Sequence, residues 1–166
     1  MTEFRVLVAD KVKAQLYELP SLRSTLKSLQ CFVNPAGQLP ERALGTSRPG
    51  RVTSGVGGGR HAYQPKHALK EHAEEVFVRQ VASALAKDAR ASGGVPIVLV
   101  AAPRLLGIYR QHLSAALRDR VVLEFKVDLT KLSVTELGKR VREAIAALPA
   151  SATERFRAPR VRPKAG

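Results

Sequence analysis

The sequence predicts a mixed α/β domain, in which one β-sheet is covered by helices, and three observations lead to this prediction. Short β-branched and aliphatic runs occur near the start of the chain, around residue 98 and around residue 124. The early runs follow one another closely, whereas the later ones alternate with helix-length segments of period 3.6. The 166 residues are 45% hydrophobic, which suffices for one domain with a sizeable core.

The first part of the chain predicts an antiparallel meander. Asp10 and Lys11 lie between the first two apolar runs and predict their turn, and Asn34-Pro35 ends the third run. Cys31 lies in that third run and is predicted to be a small core residue. It is the only cysteine, so no intrachain disulfide is possible. The predicted strands are Phe4–Ala9, Ala14–Leu19 and Leu26–Val33.

The second half predicts helices and strands in alternation. Its first helix has an apolar face that includes Val76 and a charged, solvated face that includes Glu74. Gly93-Gly94 ends this helix as a C-terminal cap would, and Ser133 with Glu136 forms a capping box for the last one. The predicted elements are the helix Ala68–Ala91, the strand Pro96–Ala101, the helix Arg104–Asp119 with Ala116 inward, the strand Val121–Val127, and a last helix to about Leu148.

Three antiparallel strands followed by α-β-α-β-α predict a five-stranded mixed sheet, an order found in ribonuclease H-like folds. We therefore expect a single ribonuclease H-like domain over residues 1–149, with a long Gly-rich loop at residues 35–66. Residues 151–166 contain five Lys or Arg, two prolines and one Glu, so 150–166 is predicted to be a basic disordered tail. The start of the chain is unlike a signal peptide and no apolar stretch is long enough to span a bilayer, so we expect a cytoplasmic protein.

Positive charge is the strongest functional signal. The 28 Lys plus Arg outnumber the 14 Asp plus Glu, which gives a net charge of +14 and favours nucleic acid, ribosomal or anionic-membrane partners. No acidic residue occurs between Glu41 and Glu71, a window that contains six cations and the glycines Gly57–Gly59. The predicted loop at residues 35–66, called the basic segment below, is therefore expected to be the contact element.

Signals for catalysis are weak. A ribonuclease H-like nuclease needs several carboxylates around divalent metal ions, but only Asp10 and Asp128 end strands, and the fourth strand ends in Ala101-Ala102. The histidines are not spaced for a zinc site on one helix. We predict no catalytic residue, no metal site and no cofactor, and a metal nuclease is disfavoured. Arg104, at the start of a helix, can hold an anion together with the positive end of that helix.

Four segments carry a family resemblance. They contain, in order, Asn-Pro and Arg-Pro-Gly-Arg, then Gly-Gly-Arg-His, then Ala-Pro-Arg-hydrophobic-Leu-Gly, and finally Asp-Leu-Thr. The segments are NPAGQLPERALGTSRPGR (Asn34 to Arg51), GGGRHAYQP (Gly57 to Pro65), VLVAAPRLLGIYR (Val98 to Arg110) and KVDLTKLSVTEL (Lys126 to Leu137). They resemble the bacterial host attachment protein family, whose name implies a role in attachment to host cells without stating a biochemical activity.

The order of strands and helices also resembles, more distantly, the middle domain of archaeal and eukaryotic peptide-chain release factors. In that family a Gly-Gly-Gln tip on the corresponding loop enters the peptidyl-transferase centre. Here Gly57-Gly58-Gly59 is followed by Arg60-His61-Ala62-Tyr63-Gln64, so the glutamine is displaced from the glycines.

The sequence therefore favours an RNA- or ribosome-binding module. Arginine and lysine side chains would neutralise phosphates, and His61 or Tyr63 would stack on an unpaired base. Two alternatives stay open: a peptidyl-tRNA or ester hydrolase that uses Gln64 or His61 to orient water, and a protein with a role in attachment to host cells. The predicted nucleic-acid contacts are Arg48, Arg51, Arg60, His61, Tyr63, Gln64, Lys66 and Arg104.

Overall fold

The computed structural model describes residues 2–38 and 66–157, without the side chains of Lys66 and His67. Five strands form one sheet in the order β3-β2-β1-β4-β5. The strands are β1 Phe4–Ala9, β2 Lys13–Leu19, β3 Lys27–Val33, β4 Ile97–Val100 and β5 Val121–Phe125. The helices of the described residues are α1 Pro35–Gln38, α2 Lys66–Ala91, α3 Pro103–His112, α4 Ala115–Arg118, α5 Val134–Ala146 and α6 Ala150–Glu154.

The sheet is mixed, as the sequence predicts. β1, β2 and β3 pair antiparallel, whereas β4 pairs parallel with both β1 and β5. The five-stranded α/β architecture is thereby confirmed, while its ribonuclease H-like assignment stays a prediction.

Strand β1 lies at the centre, and all six of its residues are buried. Leu7 belongs to the core on one face, where α2 and α3 pack through residues such as Phe77 and Leu106. Val6 belongs to the core on the other face, where α5 packs through residues such as Val141. Because β1 is apolar on both sides, it needs cover from helices on both faces.

The predicted helix over residues 104–119 is wrong as a single element, because it is interrupted after His112. Leu113 is extended, with ψ 133°, and Ser114 begins α4 as its N-cap. The Ser114 side chain accepts a hydrogen bond from the N–H of Leu117 at 3.3 Å, a bond that favours a new helix start over continuation. Leu117 stays buried, but Ala116, predicted to point inward, is exposed.

Three burial predictions are also wrong. Cys31 is exposed, since β3 is an edge strand whose residues are mostly exposed. Val76 is 37% exposed, whereas Glu74 is buried. Glu74 lies three and four positions before the buried Phe77 and Val78, so the helical period places it on the inner side of α2.

Two short helices were not predicted. α1 occupies the beginning of the basic segment, and α6 lies in residues assigned to the start of the tail. Just after α6, the Arg155 guanidinium donates to the backbone oxygen of Asp119 at 2.6 Å. Residues up to 157 are therefore connected to the domain by at least one hydrogen bond.

The sheet changes direction between β1 and β4. The chain runs outward from β1 to β2 and β3, and it returns through α2 to β4 on the other side of β1. In open α/β sheets, such a switch point creates a crevice at the carboxyl ends of the parallel strands, where ligands usually bind.

Candidate functional site

An open pocket of about 420 Å³ lies where β1 and β4 end, at what we call the carboxyl edge. Its lining residues come from the β1–β2 turn, the end of β3, α1, α2 and α3: Lys11, Asn34, Ala36, Gly37, Lys70, Glu71, Ala73, Glu74 and Arg104. Both α1, which ends at Gln38, and the start of α2 line this pocket. The described ends of the basic segment therefore meet at the switch point.

Asp10 and Asn34 fix the backbone at this edge. Oδ1 of Asp10 accepts hydrogen bonds from the N–H groups of Val12 and Lys13, both at 2.7 Å. Nδ2 of Asn34 donates to the backbone oxygen of Lys11 at 3.1 Å. The turn predicted at Asp10 and Lys11 is thus present, and it presents the exposed Lys11 side chain at the pocket.

Glycine is required at position 37 by close packing. A Cβ atom on Gly37 would lie 2.5 Å from the backbone oxygen of Lys11, far inside van der Waals contact. Any larger residue would push α1 away from the β1–β2 turn, so this glycine sets where the basic segment leaves the sheet.

Arg104 lies at the pocket but is engaged by two carboxylates. Nη1 donates to Oε2 of Glu74 at 3.1 Å, and Nη2 donates to Oε1 of Glu71 at 3.4 Å. The Glu74 side chain is 9% exposed, whereas that of Arg104 is 53% exposed. The second oxygen of Glu74, Oε1, is buried and has no hydrogen-bond partner among the described residues.

A buried tyrosine lies near these carboxylates. Tyr109 is 1% exposed, and its hydroxyl has no hydrogen-bond partner within residues 2–38 and 66–157. Burial raises the pKa of Tyr109, and the negative charges of Asp10 and Glu74 raise it further. The tyrosine therefore keeps its proton at neutral pH. Sequence reasoning missed this cluster, although the helical period that buries Glu74 was a usable signal.

His112 lies three residues after Tyr109, at the end of α3. Nε2 of His112 lies 3.1 Å from Oε1 of Glu75, but the two atoms lack hydrogen-bond geometry. The same carboxylate oxygen accepts a hydrogen bond from Arg79 at 2.9 Å, so Glu75 is shared between a cation on its own helix and the end of α3.

Asp128 follows β5, and its carboxylate, like that of Asp10, accepts hydrogen bonds from the residues just after it. Its Oδ1 accepts from the side chain of Thr130 at 2.5 Å and from the N–H of Thr130 at 3.0 Å. These two hydrogen bonds lower the pKa of Asp128, and the positive charges of Lys131 and Lys13 contribute to the same shift. Among the described residues, no three His, Cys, Asp or Glu side chains converge to hold a metal ion.

Most predicted contact residues fall outside the part of the chain that is described: Arg48, Arg51, Arg60, His61, Tyr63 and Gln64. Lys66 begins α2, but its side chain also lies outside. Arg104 is the predicted contact that the structure places at the site, beside Lys11 and Lys70. The described ends of the basic segment thus lie at the carboxyl edge. The pocket there combines cations with the side chains of Glu71 and Glu74.

These features define an α/β domain with a charged pocket at its switch point, and comparison with known proteins gives its family. Residues 5–141 match the family described as "Protein required for attachment to host cells". The match covers most of the chain, which therefore belongs to the host attachment family, as its motifs indicated.

No curated protein matches the chain. Among solved structures, an archaeal translation termination factor is similar in structure, with a TM-score of 0.47 and 10% sequence identity. The similarity covers 87% of this chain and 39% of that factor, so the chain spans well under half of the factor's length. No helix within the described residues is both long and apolar enough to cross a membrane.

Proposed function

We propose that this protein is an RNA- or ribosome-binding module whose basic segment contacts the RNA from the carboxyl edge of the sheet. Arg48, Arg51, Arg60 and Lys66 neutralise phosphates, and the glycines of the segment let its backbone approach the partner. His61, Tyr63 and Gln64 contact unpaired bases by stacking and hydrogen bonding. The role belongs to the cytoplasm and needs no cofactor.

The observation that carries this proposal is where the basic segment joins the scaffold. Its two described ends lie at one pocket on the switch point, which is where α/β folds usually bind their ligands. Lys11 and Lys13 lie at the same edge, so cations of the scaffold and of the segment act on the same partner. A rigid sheet that presents a charged segment is a common arrangement for binding.

Arg104 contributes to the same surface despite its two carboxylate partners. A guanidinium has five N–H donors, and only two of its nitrogen atoms are engaged with Glu71 and Glu74. Because about half of the side chain is exposed, the remaining donors are available to a phosphate. Its carboxylate partners reduce its electrostatic attraction, so we assign Arg104 a smaller share than the arginines of the basic segment.

The test measures RNA affinity as a function of salt for the triple variant Arg48→Ala, Arg51→Ala, Arg60→Ala. Each lost phosphate contact should reduce the slope of log affinity against log salt by about 0.7 to 0.9. A matched triple variant, Arg79→Ala, Lys87→Ala, Arg140→Ala, removes three exposed cations of α2 and α5 and should change the slope much less. Equal slopes for the two variants would remove the basic segment from the interface.

Hydrolysis of a peptidyl-tRNA mimic separates binding from catalysis. We expect the isolated protein to show none, because Gln64 is displaced from the glycines, whereas stacking and phosphate contact tolerate that spacing. Turnover that disappears in Gln64→Ala or His61→Ala, with RNA binding retained, would replace the binding module by a hydrolase. Recovery from cells with membranes instead of ribosomal RNA would favour an attachment role.

A further inference from the structure

The opposite edge of the sheet, where β1, β4 and β5 begin, carries a second set of cations. We call it the amino-edge arginine surface, and its members are Arg23, Arg90, Arg120, Arg155 and Arg157. It lies one strand length from the carboxyl edge. Because β1 has six residues, that separation is roughly 20 Å at about 3.3 Å per residue.

These arginines line three adjoining open pockets. One contains Arg90 and Arg120 and shares Gly93, Gly94 and Arg120 with the next. That second pocket, of about 570 Å³, also contains Arg155 and Arg157. Arg157 in turn lines a third, of about 610 Å³, together with Arg23. The shared residues make the three open pockets neighbours along the amino edge.

The charge of this surface is not cancelled by carboxylates. Within the described residues, none of its five arginines has a carboxylate within ion-pair distance, whereas Arg5, Arg79, Arg104 and Arg110 all do. Asp119 is the one acidic residue among those lining the three pockets. Among the described arginines, four have carboxylate partners, and the five of this surface all belong to the group without such partners.

Backbone oxygens orient two of these arginines without neutralising them. Nη1 of Arg120 donates to the backbone oxygen of Gly94, and Arg155 donates to that of Asp119. Gly94 and its neighbour Gly93 have positive φ values of 85° and 71°, which turns this backbone in a way that only glycine readily allows. The guanidinium of Arg155 also lies 4.7 Å from the centre of the Phe156 ring.

We propose that the amino-edge arginine surface binds the phosphate backbone of an RNA strand, as a second contact separate from the carboxyl edge. This inference rests on the proposed function, and it adds a site formed entirely by described residues. Arginine forks bind phosphate oxygens bidentately. A row of neighbouring pockets with arginines in each also fits a chain-like polyanion better than it fits a flat bilayer. With contacts on two opposite edges, the domain holds two segments of RNA.

The test compares two double variants of the full chain. Arg155→Gln with Arg157→Gln removes two exposed members of the surface, and Arg79→Gln with Arg140→Gln removes two exposed cations elsewhere. With single-stranded RNA of mixed sequence, the first variant should reduce the salt slope by about 1.4, since each contact accounts for about 0.7. The second should change it much less. Arg155→Lys with Arg157→Lys keeps the charge and should retain the slope.

Three results would overturn this inference. The first is an equal slope for the two glutamine variants while the basic-segment variant still loses its own contacts, which leaves the proposed function intact. The second is that the Arg155→Gln, Arg157→Gln variant loses binding to vesicles containing phosphatidylserine while its RNA binding is unchanged, which would assign the surface to lipid. The third is the absence of RNA binding by the unmodified protein, which would remove the proposed function as well. Slope losses that add when the Arg155/Arg157 and basic-segment variants are combined would support two separate contacts.

Discussion

Replacing Arg104 with glutamine should destabilise the fold, because Glu74 then loses its only hydrogen-bond partner among the described residues. Leaving a buried charged group without its partner costs on the order of 2 kcal/mol or more. For an unfolding slope of about 2 kcal/mol per molar urea, the midpoint should fall by about 1 M.

The chain provides a matched control in Arg79. Arg79 and Arg104 are similarly exposed, at 57% and 53%, but Arg79 pairs with Glu75, which is 39% exposed, and not with a buried acid. Exposed ion pairs contribute about 0 to 1 kcal/mol, so Arg79→Gln should shift the midpoint much less. The double variant Arg104→Gln, Glu74→Gln removes the unpaired charge and should recover most of the loss. Equal shifts for Arg104→Gln and Arg79→Gln would refute the reasoning.

Four further outcomes are expected. Tyr109→Phe should be neutral or stabilising in urea unfolding, because the buried hydroxyl has no described partner; a loss above about 1 kcal/mol would reveal one. Since Thr130 lowers the folded-state pKa of Asp128, this carboxylate stabilises the fold above its ordinary pKa, and the stability lost in Asp128→Ala should shrink as pH falls below about 3.8. The exposed Cys31 should react with a thiol reagent in the folded protein nearly as fast as in urea; a much slower reaction would mean that other residues shield the thiol from solvent. Adding Mg²⁺ or Mn²⁺ should produce no RNA cleavage, and cleavage abolished by Asp10→Asn would contradict this.

The strands were predictable because their signal is local. Each lies within two residues of its predicted bounds at either end, since short apolar or alternating runs favour extended chain without reference to the rest of the fold. The interruption of the helix after His112 was harder to predict. Leu113 and Leu117 keep the helical period and stay buried, so the apolar pattern continues across the break. The one local signal for the break is Ser114, a residue type that favours the start of a new helix.

Arg104, one of the predicted contact residues, lies at the pocket, but its ion pairs were not predicted. The sequence indicated the basic segment and Arg104, because charge composition and proximity to a helix start can be read directly from the order of the residues. The partners of Arg104 lie thirty or more residues away on α2, and such distant pairs leave no mark in spacing. Cys31 was misplaced for a related reason: alternation predicts a strand, but it does not say whether that strand lies at an edge.

The pairing of β1 with β4 has a consequence for the order of folding. Residues Arg5 to Val8 pair with Ile97 to Val100, so one side of the central strand can pair only after about ninety more residues have been synthesised. The β1–β2–β3 meander needs only neighbouring residues and can form early, whereas its open edge on β1 stays uncovered until β4 emerges from the ribosome. Throughout that interval the apolar residues of β1 are exposed to other nascent chains. Mutations that slow the docking of β4 should therefore reduce the yield of folded protein more than they reduce its final stability.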